Sequence, residues 1–234
     1  MPFALFCLSF LSALLTTNVS AHDFRCSGPA AVIIHNEDPG EREAICAAAQ
    51  SAITYLARFD LFPQRPVVIE LVDRSIDSHG DLSYGRYNGN TDRIELMTFS
   101  AISSGPAGNE FLEEPFDRVH YAGAVAHEVA HAVVESYLHD HTYSNTPQEY
   151  LAYATQLAVL PPERRARIVA AMGVGPWEEG DMISTAYMAL HPGKFAVKSY
   201  LHLTSLSDPR AFVKLLVGTH WYYIQVPPEL TESP

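Results

Sequence analysis

The sequence predicts an α+β fold, with a small mixed sheet early in the chain and a mainly helical second half. Three observations carry that reading. Runs rich in β-branched residues at 30–35 and 67–72 have the length and composition of strands. An Asn88-Gly89 pair stands between two further strand-like runs, which is the sequence mark of a hairpin turn. From Pro147 onward, apolar residues recur mostly at helical spacing between Pro and Gly breaks.

The chain starts with an apolar run over 3–15, too short to span a bilayer and of the length of a signal-peptide core. Val19-Ser20-Ala21 supplies the small residues of a cleavage site, so 1–21 read as a signal peptide. No Lys or Arg precedes the run, and an uncleaved anchor is the competing reading. Residues 22–234 then form one domain, an α/β part over about 22–145 and a helical part over about 146–234. Cys7 leaves with the leader. Cys26 and Cys46 remain, and in an oxidising compartment they are expected to pair and tie the first strand to the first helix. Two unpaired buried thiols are the alternative. The formal net charge of −12 disfavours nucleic acid and anionic lipid as partners. These features describe a secreted or periplasmic protein, expected to be a monomer with no transmembrane segment once cleaved.

The elements follow in order. Residues 30–35 are the first strand. A helix over 37–59 carries Ala44, Ile45, Ala48, Ala52, Tyr55 and Leu56 as a stripe of helical period, and Pro63 and Pro66 lie beyond its end. Strand 67–72 comes next, then a hairpin with strands 82–87 and 93–97 around a turn at 88–92. In its second strand Ile94 and Leu96 share a side. Residues 100–114, polar and Gly-rich, read as a loop. Pro115 and Asp117 open a helix that runs to about 138. A loop over 139–145 leads to a helix over 146–160, and a short helix over 163–171 is ended by Gly173. Helices at about 180–190, 194–206 and 208–218 complete that half, and 221–224 read as a last strand or a docking tail.

The chemistry is concentrated in His127-Glu128-Val129-Ala130-His131, an HExxH sequence inside a proline-free Ala/Val-rich run. Residues four apart share a helix face, so both imidazoles can reach one ion. Glu128 leans over the same place, where it can take a proton from a water activated by the ion.

A catalytic Zn2+ takes three protein ligands. Glu135 lies eight residues beyond His127, about 12 Å along the helix, and is too far away. His139 and His141 would need the helix to break, and neither Gly nor Pro falls between Ala132 and Leu138. Tyr137 occupies the position, six after the second His, where one large class carries a third His. Glu149, 18 residues after His131 on the returning helix, remains. Thr146 and Glu149 also have the spacing of a capping box, with Pro147 at the first helical position, and that role needs no metal.

Hairpin, HExxH helix, loop and then Glu149-Tyr150-Leu151-Ala152 resemble the gluzincin zinc metallopeptidases over about residues 80–160. In that family a Glu on a second helix, often within E-x-x-A, is the third ligand. The resemblance implies a zincin-like domain in which His127, His131 and Glu149 hold Zn2+ and Glu128 is the general base. It also implies that residues 93–98 form the edge strand that aligns a peptide or protein substrate. Gln148 stands where aminopeptidases of the group often carry Asn, and Tyr153 where thermolysin-like members carry Asp.

A donor for the developing oxyanion is also needed. Tyr187, His191, Tyr200, His202 and Tyr222 are the candidates, with Tyr200 and His202 first among them as catalytic residues. His120, seven before His127, reads as structural. The expected function is hydrolysis of peptide bonds by an exported zinc peptidase. The alternative is a non-catalytic exported protein that keeps the fold and the metal. Hydrolysis of a non-peptide bond comes third. Glu128 separates the first two, because a purely structural metal site has no need of an acid there.

Overall fold

The computed structural model describes residues 23–35, 38–78, 81–104, 110–138, 145–218 and 223–228. The leader, the loop histidines His139 and His141, Trp221 and Tyr222 lie outside them. The chain is a mixed α and β structure with one five-stranded sheet and a helical second half, as its sequence predicts.

Strands β1 (Phe24–Arg25) and β2 (Val32–His35) are followed by helix α1 (Arg42–Ala57) and strand β3 (Val67–Val72). Helix α1 starts later than its stripe suggests, because Asp38-Pro39-Gly40 forms a turn instead. There the Asp38 carbonyl accepts from the Glu41 and Arg42 N–H groups. β2 and β3 pair in parallel on either side of α1, a βαβ unit. Cys26 and Cys46 form the expected disulfide, with Cα atoms 5.4 Å apart. It closes a 20-residue separation and contributes about 3 kcal/mol by restricting the unfolded chain.

The hairpin is more broken than its sequence suggests. Strands β4 (Ile76–Ser78) and β5 (Asp81–Ser83) form a separate small ribbon, and the chain kinks at Tyr84 before β6 (Gly85–Asn88) and β7 (Arg93–Met97). β7 pairs in parallel with β3, giving the order β1-β2-β3-β7-β6. Residues 93–98, expected as the edge, are therefore interior, and the edge is β6. The hairpin signal fixes that β6 and β7 pair but not which of them meets β3.

Alternation along the strands gives the sheet one apolar face. Ile34, Ile69, Leu71, Ile94 and Leu96 are buried beneath α1 and the next long helix. Full burial of each Ile or Leu contributes about 1.5–3 kcal/mol. The other face is polar, with Glu95 paired to Arg86 and Arg74 and Glu70 near Arg93.

The stretch 100–114, expected as a loop, holds helix α2 (Phe99–Ser104) and the ribbon β8 (Glu110–Phe111) and β9 (Glu114–Pro115). Helix α2 is capped from afar: the Phe99 N–H donates to the Glu41 carboxylate at 3.0 Å. The β8–β9 turn uses Leu112 and Glu113 at positive φ, 53° and 63°, with no glycine to advertise it.

Helix α3 (Arg118–Val134) carries HExxH. Asp117 caps it, accepting from Val119 and His120 N–H. A 3₁₀ turn over Glu135–Tyr137 follows. Helix α4 (Thr146–Val159) packs along α3, and α5 (Pro162–Met172) ends at Gly173 in the left-handed conformation, φ 60°. Residues 182–184, expected as helix, instead form strand β10 (Met182–Ser184), followed by α6 (Thr185–Leu190), α7 (Pro192–Ser205) and α8 (Pro209–Val217). β10 pairs with β11 (Tyr223–Gln225), so the Tyr-rich tail is a last strand. No helix among the described residues is long and apolar enough to cross a membrane.

Candidate metal centre

Packing α4 along α3 brings three side chains together. His127 Nε2 and His131 Nε2 are 3.1 Å apart. Glu149 Oε2 lies 3.6 Å from the first, and Glu149 Oε1 lies 3.7 Å from the second. The capping alternative for Glu149 is not the one adopted. Its N–H donates to the Asn145 carbonyl at 2.9 Å, and the Thr146 hydroxyl turns to Thr185 at 2.8 Å.

Two glutamines fix how the imidazoles present themselves. His127 Nδ1 meets Gln156 Oε1 at 3.0 Å, and His131 Nδ1 meets Gln148 Oε1 at 2.9 Å. With the amide oxygens turned to the rings, each Nδ1 carries the hydrogen and each Nε2 is a bare lone pair. Two lone pairs 3.1 Å apart beside a carboxylate call for a positive charge among them. A shared proton would make one ring an imidazolium. Burial and the neighbouring His131 oppose that by holding His127 well below its ordinary range. Burial also pushes Glu149 up, against the lowering effect of His131.

A divalent ion suits this donor set. The three ligand atoms lie within 4.8 Å of one another. Bonds of about 2.0–2.2 Å around a tetrahedral ion put donors about 3.3–3.6 Å apart, so little adjustment is needed. His127, His131 and Glu149 are thus the residues that could hold a metal ion.

Glu128 sits beside them, 7% exposed. The edge strand closes directly onto it. Tyr87 N–H donates to its Oε2 at 2.9 Å, and a Cβ at Gly85 would lie 2.6 Å from its Cγ. Only glycine lets β6 approach so closely. Burial raises the Glu128 carboxyl to about 7, with His131 and the Tyr87 N–H lowering it and Glu149 raising it. A cation in the cluster would draw it down again.

Other sequence-derived candidates lie elsewhere. His202 is buried in the core, its Nδ1 bonded to the Tyr150 hydroxyl at 2.7 Å and its ring packed on Phe212. Tyr200 stacks against the Arg165 guanidinium. The partners of both are Tyr150, Phe212 and Arg165 rather than the residues of the cluster. Tyr187 packs against Trp177 and His191. His120 is buried with Nδ1 on the Pro115 carbonyl at 2.9 Å, a structural position. Tyr137 ties down the 62–64 segment through its hydroxyl. The phenol beside the cluster is Tyr153, whose ring meets His127 edge-on at 4.6 Å. Burial and the charges of Glu149 and Glu128 push its hydroxyl pKa up.

Gln148, Gln156, Tyr153, Gly85 and the Tyr87 N–H carry no motif of their own. Helical spacing does flag two of them: Tyr153 and Gln156 stand four and seven residues after Glu149, on its face of α4.

Residues 32–226 match the profile of a family of unknown function (DUF6639). The chain belongs to that family. The matched span takes in the three converging ligands, Glu128 and both glutamines. No curated protein and no solved structure matches the chain.

Proposed function

We propose that this chain is an exported zinc-dependent peptidase with a zincin-like fold, in which His127, His131 and Glu149 hold Zn2+. The observation that carries the reading is the convergence of two bare Nε2 atoms and a carboxylate beside a second, separately held carboxylate, Glu128. The disulfide and the apolar run over 3–15 support export.

A divalent ion in this cluster would supply Lewis acidity, activating water and polarising a carbonyl. The chain's own groups do the rest. The glutamine carbonyls hold both rings with Nε2 inward. Glu128, fixed by the Tyr87 N–H, takes a proton from the attacking water and delivers it to the leaving amine. The β6 edge lies directly against Glu128 and leaves it 7% exposed.

Metal analysis of purified protein beside Glu149→Ala tests the ligand set. Wild type should hold about one zinc per chain and the variant far less; equal content removes Glu149 as a ligand. Glu128→Gln should keep zinc and lose hydrolysis of a peptide library. Undiminished turnover in that variant would rule Glu128 out as the base. Zinc-loaded wild type that cleaves nothing in the library would favour the non-catalytic metal-binding reading.

A further inference from the structure

We propose that Glu135 is a positioning residue for the metal centre, acting through Gln148 to fix the tautomer of His131. The proposal rests on the metal-binding reading above and adds a residue that the ligand geometry excludes from the ion itself.

The chain of contacts is direct. His131 Nδ1 meets Gln148 Oε1 at 2.9 Å, and Gln148 Nε2 donates to Glu135 Oε2 at 2.5 Å. An amide can turn over with almost no change of shape, because its oxygen and nitrogen are similar in size. Turned over, Gln148 would offer N–H to His131 Nδ1. The ring would then have to carry its hydrogen on Nε2, which would remove the lone pair that faces Glu149 and His127. Glu135 forbids this. A carboxylate only accepts, so the turned amide would set oxygen against oxygen and leave a hydrogen bond unmade. Glu135 therefore decides the orientation of Gln148, and Gln148 decides the tautomer of His131.

The other histidine has no such second link. Gln156 orients His127, but its Nε2 is buried without a hydrogen-bond partner among the described residues. Among the described residues the His131 side alone ends in a carboxylate, and the hairpin turn lies beside it. A Cβ at Gly89 would lie 2.8 Å from Glu135 Oε1. The β6–β7 turn thus passes close to the carboxylate that sets the metal ligand, and a side chain at Gly89 would displace it.

The test uses the full mature chain, with zinc affinity measured by competition against a chelating dye. Cobalt(II)-loaded protein reports the exchangeable ring N–H of each histidine ligand by proton NMR. Glu135→Leu should weaken zinc about tenfold or more. It should also shift or broaden one ring N–H signal, that of His131, and leave the His127 signal in place. Glu135→Gln can still accept from Gln148 but can also donate to it once turned, so it should weaken zinc by less than Glu135→Leu without matching wild type. Gly89→Ala should fall between the two, because its methyl group displaces the carboxylate without removing it. Should Glu135→Leu fail to fold, Gly89→Ala carries the same comparison. Wild-type zinc affinity in the leucine variant with both N–H signals unmoved overturns the role of Glu135 and leaves the metal site standing. Wild type that takes up no metal overturns the site itself, and the role of Glu135 with it.

Discussion

Two buried histidines are held by residues two positions apart on α4, yet only one of them faces a site. His131 gives its Nδ1 to Gln148, and His202 has its Nδ1 bonded to Tyr150. Their exposures are similar, 9% and 3%. The difference lies around the rest of each ring. His131 Nε2 faces His127 Nε2 and the Glu149 carboxylate. The His202 ring is walled by Tyr150 and Phe212. Burial holds His202 down to about 4, with Lys198 helping, so a strongly shifted histidine here marks packing. What marks the candidate site is the convergence of acceptors that need a cation.

The sharpest way to break this comparison is to remove each ring. His131→Ala should lower zinc affinity by more than about 100-fold, beyond the range of an outer partner's loss. His202→Phe should keep one zinc per chain and lose about 1–3 kcal/mol of stability with the Tyr150 bond. Metal analysis and denaturant melts of both proteins read the contrast. Loss of zinc from His202→Phe would join the two regions into one functional unit. On the proposed peptidase reading, a second substitution separates catalysis from binding. Gly85→Ala sets a methyl group 2.6 Å from Glu128 Cγ, so strand or carboxylate must move. Peptide hydrolysis should fall about 100-fold while zinc stays bound. Wild-type turnover in Gly85→Ala would mean that Glu128 does not depend on the closeness of β6.

The same comparison shows which parts of the molecule the sequence could reveal. His127, His131 and Glu149 were legible because helix geometry is local: spacing sets the face, rise excludes Glu135, and a short loop returns the chain. The placing of His202 was not, since nothing local distinguishes a histidine that meets Tyr150 from one that meets an ion. Partners distant in sequence hid other features. The cap of α2 comes from Glu41, 58 residues before the Phe99 it bonds. Strand β10 exists because Tyr223–Gln225 pairs with it, about 40 residues on. The edge position of β6 depended on β7 docking in parallel against β3, a choice that hairpin residues do not encode. The glutamines lay between these cases. Gln156 repeats the Glu149 face at seven residues, a spacing that marks it as a neighbour of the cluster without saying what it bonds.

That intermediate case gives the third prediction. Gln156→Leu removes the acceptor on His127 Nδ1 while keeping an apolar stem of similar length. Zinc affinity should fall about 10- to 100-fold, as for other lost partners of metal-bound imidazoles. An unchanged affinity by chelator competition would mean that His127 needs no orienting partner, and the contrast with His202 would rest on Glu149 alone.

The smallest effect comes from the packing histidine, and its sign follows from the direction of its shift. His202 titrates near 4 in the folded chain against an ordinary 6.5. Between those values the unfolded chain binds a proton that the folded chain refuses, so stability rises with pH across that window and is flat above it. Acidification from pH 7 to pH 4 should therefore cost the metal-free protein stability that His202→Phe does not lose. A shift of this size is worth at most about 3 kcal/mol. Titrations common to both proteins, those of His127, Glu128 and Glu149 included, cancel in the comparison. Urea melts of the two proteins at pH 7 and pH 4 measure it. Equal losses in both would mean that Tyr150 and Phe212 leave His202 free to take up its proton. Its neutral state would then no longer distinguish a packing position from a metal ligand.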